Sequence, residues 1–333
     1  MAPHPQRLTV TRRSWALARP ITTPQGVQTT AETILAEIAD GDSRGRGECV
    51  PLARYGESAD SVVAALNGLK DAIVSGLNRD TLQKALPPGA ARNALDCAFW
   101  DIDANRAYCT VAELAGQGAG TPITTAFTIP LDTPEHMADL AAANRAHPLL
   151  ILNLGGDGDL ERVRAVRQAV PASRLIVDAN ESWTAAQLAA FLPALIECRV
   201  ELIEQPLPAG ADDALAGCAH AIPLGADESC RSVADIQGLA GRYEAINITL
   251  DKVGGLTEAL AMAADAKRRG LRVILGGTLG TSLGVAPALL VVPMAEIVVL
   301  DGPLRLASDR YPGLRYEGST IHPPEGRFWG QPG

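Results

Sequence analysis

The sequence predicts an α/β protein: a (β/α) barrel preceded by a smaller α+β unit. Three observations lead there. The chain has 333 residues, enough for one barrel of roughly 250 residues plus a smaller domain. From residue 123 onward, eight short apolar runs alternate with helical segments at a spacing of about 25 residues, which a barrel requires. The first third lacks this alternation and mixes strand-like with helical stretches. The expected division is an α+β unit over 1–115, a barrel over 116–305 and a Gly- and Pro-rich tail over 306–333 that is either disordered or packed back on the N-terminal unit.

In the first third, TVTRRSWAL and ETILAEIA read as strands, the second with apolar residues at every other position. ESADSVVAALNGLKDAIVSGL reads as one helix, started by Ser58 or Asp60. PPGAARNALDCAFWDIDANRA reads as a second helix, apolar at Ala94, Leu95, Ala98, Phe99 and Ile102. The eight later runs are 123–129, 149–153, 174–178, 200–204, 222–227, 245–250, 271–275 and 296–300. Between them LERVRAVRQAV presents Leu160, Val163, Val166 and Val170 on one face and stops before Pro171. TEALAMAADAKRRG ends at Gly270, a residue suited to a helix C-terminus. A doubly wound sheet shares this periodicity, so the barrel rests on the count of eight and on the acids below.

Composition excludes several functions. Net charge is −9, and no basic stripe is present to meet nucleic acid. No apolar run approaches the ~20 residues of a membrane span, and the N-terminus shows no signal-peptide core, so a cytoplasmic protein is expected. The six cysteines include no CxxC pair and read as buried small residues in a reducing compartment.

Three successive runs end in an acid: Asp178, Glu204 and Asp227. Active sites of such barrels lie at the strands' C-terminal ends. Carboxylates converging there repel one another unless a cation sits between them, and hard oxygen donors without Cys or His favour Mg2+. The next run leads into Lys252, placed to remove a proton from a carbon beside a metal-bound carboxylate. Thr128, Asn153, Thr278 and Asp301, at strand ends, are candidate substrate contacts.

VDANESW, IEQPLP, ADES and LDKVGGLTEAL resemble the signature segments of the muconate-lactonizing subgroup of the enolase superfamily. RGRGECVPLARYGES and AARNALDCAFWDID are similar to capping-domain segments of dipeptide epimerases and N-acyl-glutamate racemases. The resemblance implies Asp178, Glu204 and Asp227 as Mg2+ ligands with Asn180 and Glu228 nearby. It implies Lys252 as base on one face of a small carboxylate, a dipeptide or N-acyl amino acid. It also implies a TIM-like (β/α)7β barrel with an α+β capping domain formed by the N-terminal region and the C-terminal tail, the tail packing on the cap and the cap loops around 21–26 and 52–57 closing over the ligand; a homo-oligomer is left open.

Six positions, in four segments, depart from that family's pattern. Its Lys-x-Lys pair at the second barrel strand, whose second lysine is the opposite base, is here Ile151 and Asn153. Asparagine neither takes nor gives a proton near neutral pH. Its Asp-x-Asp at the eighth strand, which holds the dipeptide ammonium, is here Val299 and Asp301. Thr22 and Gln25 stand in the cap loop where arginines are common, and Thr249 where a lysine is common. Three functions follow: a racemase or epimerase of amino-acid derivatives, a one-base lyase or cycloisomerase on the same metal site, or a catalytically silent ligand-binding paralog.

Overall fold

The computed structural model describes residues 6–23, 26–218, 220–326 and 328–331. Gln25 lies outside the described residues, as does the side chain of Thr22. The chain opens with an antiparallel sheet of β1 (Arg7–Thr23), β2 (Gly26–Asp40) and β3 (Ser43–Cys49), in the order β1-β2-β3. Ile34, Ala36 and Ile38 of β2 face inward at every second position, as the alternation predicts. Strand β3 carries no such pattern because it lies under a helix. A Cβ at Gly45 would stand 2.2 Å from the carbonyl oxygen of Ala98, and one at Gly47 2.0 Å from that of Ala94. Only glycine permits that approach.

Four helices cover this sheet: α1 (Ala59–Asn67), α2 (Lys70–Val74), α3 (Arg79–Ala85) and α4 (Ala90–Ala107). Ser58 caps α1, its hydroxyl accepting from the Ser61 N–H. The stretch expected as one helix is therefore two, broken at Gly68–Leu69. Helix α4 has apolar residues toward the sheet and polar ones toward the barrel, so it is buried on both sides. Arg92 donates to the carbonyls of Val253 and Gly254, Asn93 to Asp251, and Asp96 accepts the Thr257 N–H.

A short helix α5 (Val111–Leu114) and strand β4 (Ile123–Thr124) lead to eight parallel strands. These are β5 (Phe127–Ile129), β6 (Leu149–Asn153), β7 (Arg174–Asp178), β8 (Val200–Glu204), β9 (Leu224–Ala226), β10 (Ala245–Thr249), β11 (Arg272–Gly276) and β12 (Ile297–Val299). They pair in chain order, and the Ala126 N–H reaches the Val298 carbonyl at 2.8 Å to bring the first and last together. Ala126, Leu149, Ile151, Ile176, Leu202, Ala245, Ile274, Ile297 and Val299 fill the interior. Alternate residues such as Leu150, Leu152, Val177 and Ile203 face the surrounding helices. The run 123–129 does not form one strand. Only its second half joins the barrel, while Ile123–Thr124 pairs with β14 (Thr320–Ile321), itself paired with β13 (Tyr316–Glu317).

After β8 the chain makes only a 3-10 turn at Asp212–Leu215, where a full helix would follow the regular pattern. The tail returns to the cap helix. Trp329 is buried and its indole N–H donates to the Cys97 carbonyl, while Asp101 accepts the Gly330 N–H. No helix among the described residues is long and apolar enough to cross a membrane.

Candidate active site

Asp178 and Glu204 are the last residues of β7 and β8, and Asp227 follows β9 by one position. Register pairs Asn153 with Asp178 and Asp178 with Glu204 across neighbouring strands, so these side chains open at the same barrel end. All three acids line one cavity of about 360 Å³. Thr128, Ile151, Asn153, Glu228, Asn247, Thr249, Lys252, Thr278, Val299 and Asp301 line it too. The cap contributes Leu52–Tyr55 as its roof.

The backbone turns sharply just past two of the acids. Asn180 (φ 49°), Glu181 (φ 62°) and Gln205 (φ 33°) adopt left-handed conformations without being glycine. Asn180 does not line the cavity; its backbone N–H donates to Asp178 at 2.9 Å and fixes that carboxylate. Buried Gln205 accepts from the N–H groups of Asp227 and Ser229 through Oε1 and donates to the Leu207 carbonyl. It ties the loop after β9 to the loop after β8.

Burial raises the Asp178 carboxyl well above its ordinary range, and repulsion from Glu204, Glu228 and Asp227 adds to it. Glu204 is pushed up to about 8 by burial and then by Asp227. Glu228 is raised to about 7 by the same two causes. Among the described residues, no three acid, His or Cys side chains are already closed to metal-holding spacing. Each acid is instead turned to a protein donor: Asp227 to Lys252, Glu204 to the Asn247 amide, and Glu228 to Arg54 at 3.0 Å. One oxygen of Glu228, Oε2, is buried with no hydrogen-bond partner. An acid cluster under this repulsion, with an orphaned oxygen and only hard donors, fits a divalent cation such as Mg2+.

Lys252 lies in a one-turn helix (Leu250–Val253) after β10 and is 2% exposed. Nζ donates to Asp227 Oδ1 at 2.5 Å, to the Asp227 carbonyl at 2.7 Å and to the Asn247 carbonyl at 2.7 Å. Neighbouring Asp251 accepts from Val50, Asn93 and Thr278, joining cap and barrel beside the amine. Thr278 and Asp301 line the cavity with polar atoms already engaged. Asp301 takes the Thr128 N–H at 2.8 Å and its hydroxyl at 3.3 Å across the β5–β12 seam. The Asn153 side chain makes no hydrogen bond with a described residue.

Asn247, Gln205, Arg54 and Arg305 shape this site and escaped the sequence reading. Asn247 had a signal: it shares the inward register of Ala245 and Thr249, where an amide is unusual in an apolar interior. Arg54 and Arg305 sit in loops, where no periodicity marks a direction.

Comparisons with known proteins identify the family of the chain. Residues 6–116 match the mandelate racemase / muconate lactonizing enzyme N-terminal domain, and residues 132–326 match the enolase C-terminal domain-like family. L-Ala-D/L-Glu epimerase of Escherichia coli (strain K12) is 42% identical over 315 residues, covering 94% of this chain and 98% of its own. N-acetyl-D-glutamate racemase of Pseudoalteromonas sp is 40% identical over 299 residues, covering 89% and 95%. A solved enolase family member from Agrobacterium tumefaciens with homology to dipeptide epimerases, holding sodium and L-Ala-L-Glu, superposes with TM-score 0.94. It is 47% identical and covers 98% of this chain and 100% of its own. The dipeptide epimerase of Enterococcus faecalis V583, complexed with Mg and L-Leu-L-Tyr, gives a TM-score of 0.88 at 26% identity and covers 99% of each chain.

Proposed function

The chain belongs to the mandelate racemase / muconate lactonizing enzyme family of the enolase superfamily, and from that membership we propose that it is a Mg2+-dependent epimerase or racemase. It removes the α-proton of an amino-acid-derived carboxylate, a dipeptide or an N-acyl amino acid. The observation that carries this reading is a single cavity holding Asp178, Glu204 and Asp227 beside the buried amine of Lys252. The three acids would hold the ion, with Glu228 and Asn180 beside them. Bound there, Mg2+ would offset the negative charge that builds on the substrate carboxylate.

Lys252 is the base. The Cα–H bond breaks, its electron pair passes into the carboxylate, and the proton rests on Nζ. In the resting arrangement Nζ donates to Asp227 and Asn247. To act as the base Nζ first passes one of its three N–H protons to solvent, and the lone pair left on nitrogen then takes the Cα proton. The carbonyls of Asp227 and Asn247 keep it aimed. Asn153 offers an amide to the substrate from the wall of β6. All six cysteines are free thiols, which suits a reducing cytoplasm.

Ile151 and Asn153 favour a second reading, chemistry on one face only, because neither can return a proton opposite Lys252. One experiment separates them: Mg2+-loaded protein with dipeptides and N-acyl amino acids in D2O, followed by NMR at Cα. Deuterium entry with inversion, lost in Lys252→Ala, is expected. Exchange with retention alone selects the one-face reading. Exchange that survives Lys252→Ala, or none across the panel, removes both.

A further inference from the structure

The cavity contains a third cation that this chemistry does not use. Arg305, in the turn Gly302–Arg305 after β12, lines the same cavity as Lys252 and the acid cluster. It also lines an adjoining cavity of about 540 Å³ that extends past Thr128 toward Arg19 and Ile21. The other two cations are satisfied: Lys252 by Asp227 and Asn247, Arg54 by Glu181 and Glu228. Arg305 makes no hydrogen bond or ion pair with any described residue. Asp301 is the acid whose field it feels, yet both Asp301 oxygens are committed to Thr128. Burial lowers the guanidinium from its ordinary value, the direction expected of a desolvated cation whose charge is not fully answered.

A half-buried guanidinium without a partner is costly, and its planar fork of donors matches a carboxylate in two-point contact. Two positions before Asp301, Val299 adds an apolar wall. This end of the cavity therefore presents a guanidinium with no ion-pair partner among the described residues, beside a carboxylate that Thr128 already holds, and it suits an anion.

We propose that Arg305 is a specificity-determining residue that receives a second carboxylate of the substrate, distant from the one at the acid cluster. The inference rests on the reading that a carboxylate binds at that cluster. The second anion can come from an acidic side chain or from a dicarboxylic N-acyl group; both carry the same chemistry to the guanidinium.

The test compares matched pairs on the Mg2+-loaded protein: N-acetyl-L-glutamate against N-acetyl-L-glutamine, and N-succinyl-L-alanine against N-acetyl-L-alanine. The rate is Cα exchange in D2O. Wild type should prefer the dianionic member of at least one pair by tenfold or more in kcat/KM, and which pair responds identifies the source of the anion. Arg305→Met should collapse that preference at least tenfold, chiefly through KM, and Arg305→Lys should restore part of it. Equal rates within both pairs in wild type, or a preference that survives Arg305→Met, overturns the assignment while α-proton chemistry stands. If wild type exchanges none of the four, the functional reading fails and Arg305 is judged by calorimetric binding of the same pairs. Tighter binding of a dianionic member, lost in Arg305→Met, supports the role; equal binding within both pairs overturns it.

Discussion

Asn247 holds Lys252 by its backbone and Glu204 by its side chain. The carbonyl accepts from Nζ at 2.7 Å, while the amide donates to Glu204 Oε1. One residue of β10 thus sets the position of the candidate base relative to a candidate metal ligand. Removing the amide while keeping the carbonyl separates the two tasks. Asn247→Ala should lower Cα exchange by roughly 10- to 100-fold, chiefly in kcat, because an outer partner orients its ligand at about that cost. Steady-state NMR rates test this; an unchanged kcat would remove the amide from the organisation of the site.

The acid cluster should be read out by its cation. Asp178→Asn removes one charge and one donor from a set with only hard oxygens, so Mg2+ affinity should fall at least tenfold. Calorimetry on chelator-treated protein measures it directly. Equal affinity in the variant would place the ion elsewhere, and an absence of binding to the unaltered protein would remove the metal site.

Asn153 faces the cavity from β6, in register with Asp178. Placing an amine there supplies an ionisable group on the wall opposite Lys252. Asn153→Lys, alone or with Ile151→Lys, should raise the ratio of inversion to retention at least tenfold. A new cation beside Asp178 should also weaken Mg2+ binding. A constant ratio, with exchange intact, would mean that the second face is not limited by its lack of a base.

Asp101 gives a pH signature that does not involve the cavity. It accepts the N–H groups of Arg46 and Gly330, and burial raises it from 3.8 to about 6. The folded protein therefore keeps this proton at pH values where the unfolded chain has lost it. Its contribution to stability is full below about pH 4, falls as pH rises toward 6 and is constant beyond. Asp101→Asn lacks this dependence. Whatever its starting deficit, the variant should gain on wild type by up to about 3 kcal/mol between pH 4 and 6, at roughly 1.4 kcal/mol per unit. Urea unfolding of both proteins across that range checks the sign; a gap that widens with pH contradicts it.

Strands buried on both faces announced themselves as apolar runs, so all eight barrel strands were legible. The acids that end three of them were legible because a charge after such a run has few places to go. Strand β3 was not, since Gly45 and Gly47 are selected by contact with α4 and carry no alternation. The split of 123–129 was hidden as well, because pairing with residues 320–321 is a contact across nearly two hundred residues. Gln205 acts through hydrogen bonds between loops and Asn247 through one between two non-adjacent strands, and a linear pattern does not encode which of these meet. Arg305 differs again: its interest lies in a missing partner, which exists only once the surroundings are assembled.

Helix α4 grips the segment that carries Lys252. Arg92, Asn93 and Asp96 bind Val253, Gly254, Asp251 and Thr257, and Gly254 and Gly255 leave space that a Cβ would fill at 2.3 Å from Arg92 and 2.6 Å from Asp96. With that joint fastened, the N-terminal unit cannot swing clear of the barrel as a hinged door. The roof at Leu52–Tyr55 is thereby carried on a fixed base, and a barrel excised from its cap would lose the scaffold that keeps its amine in place.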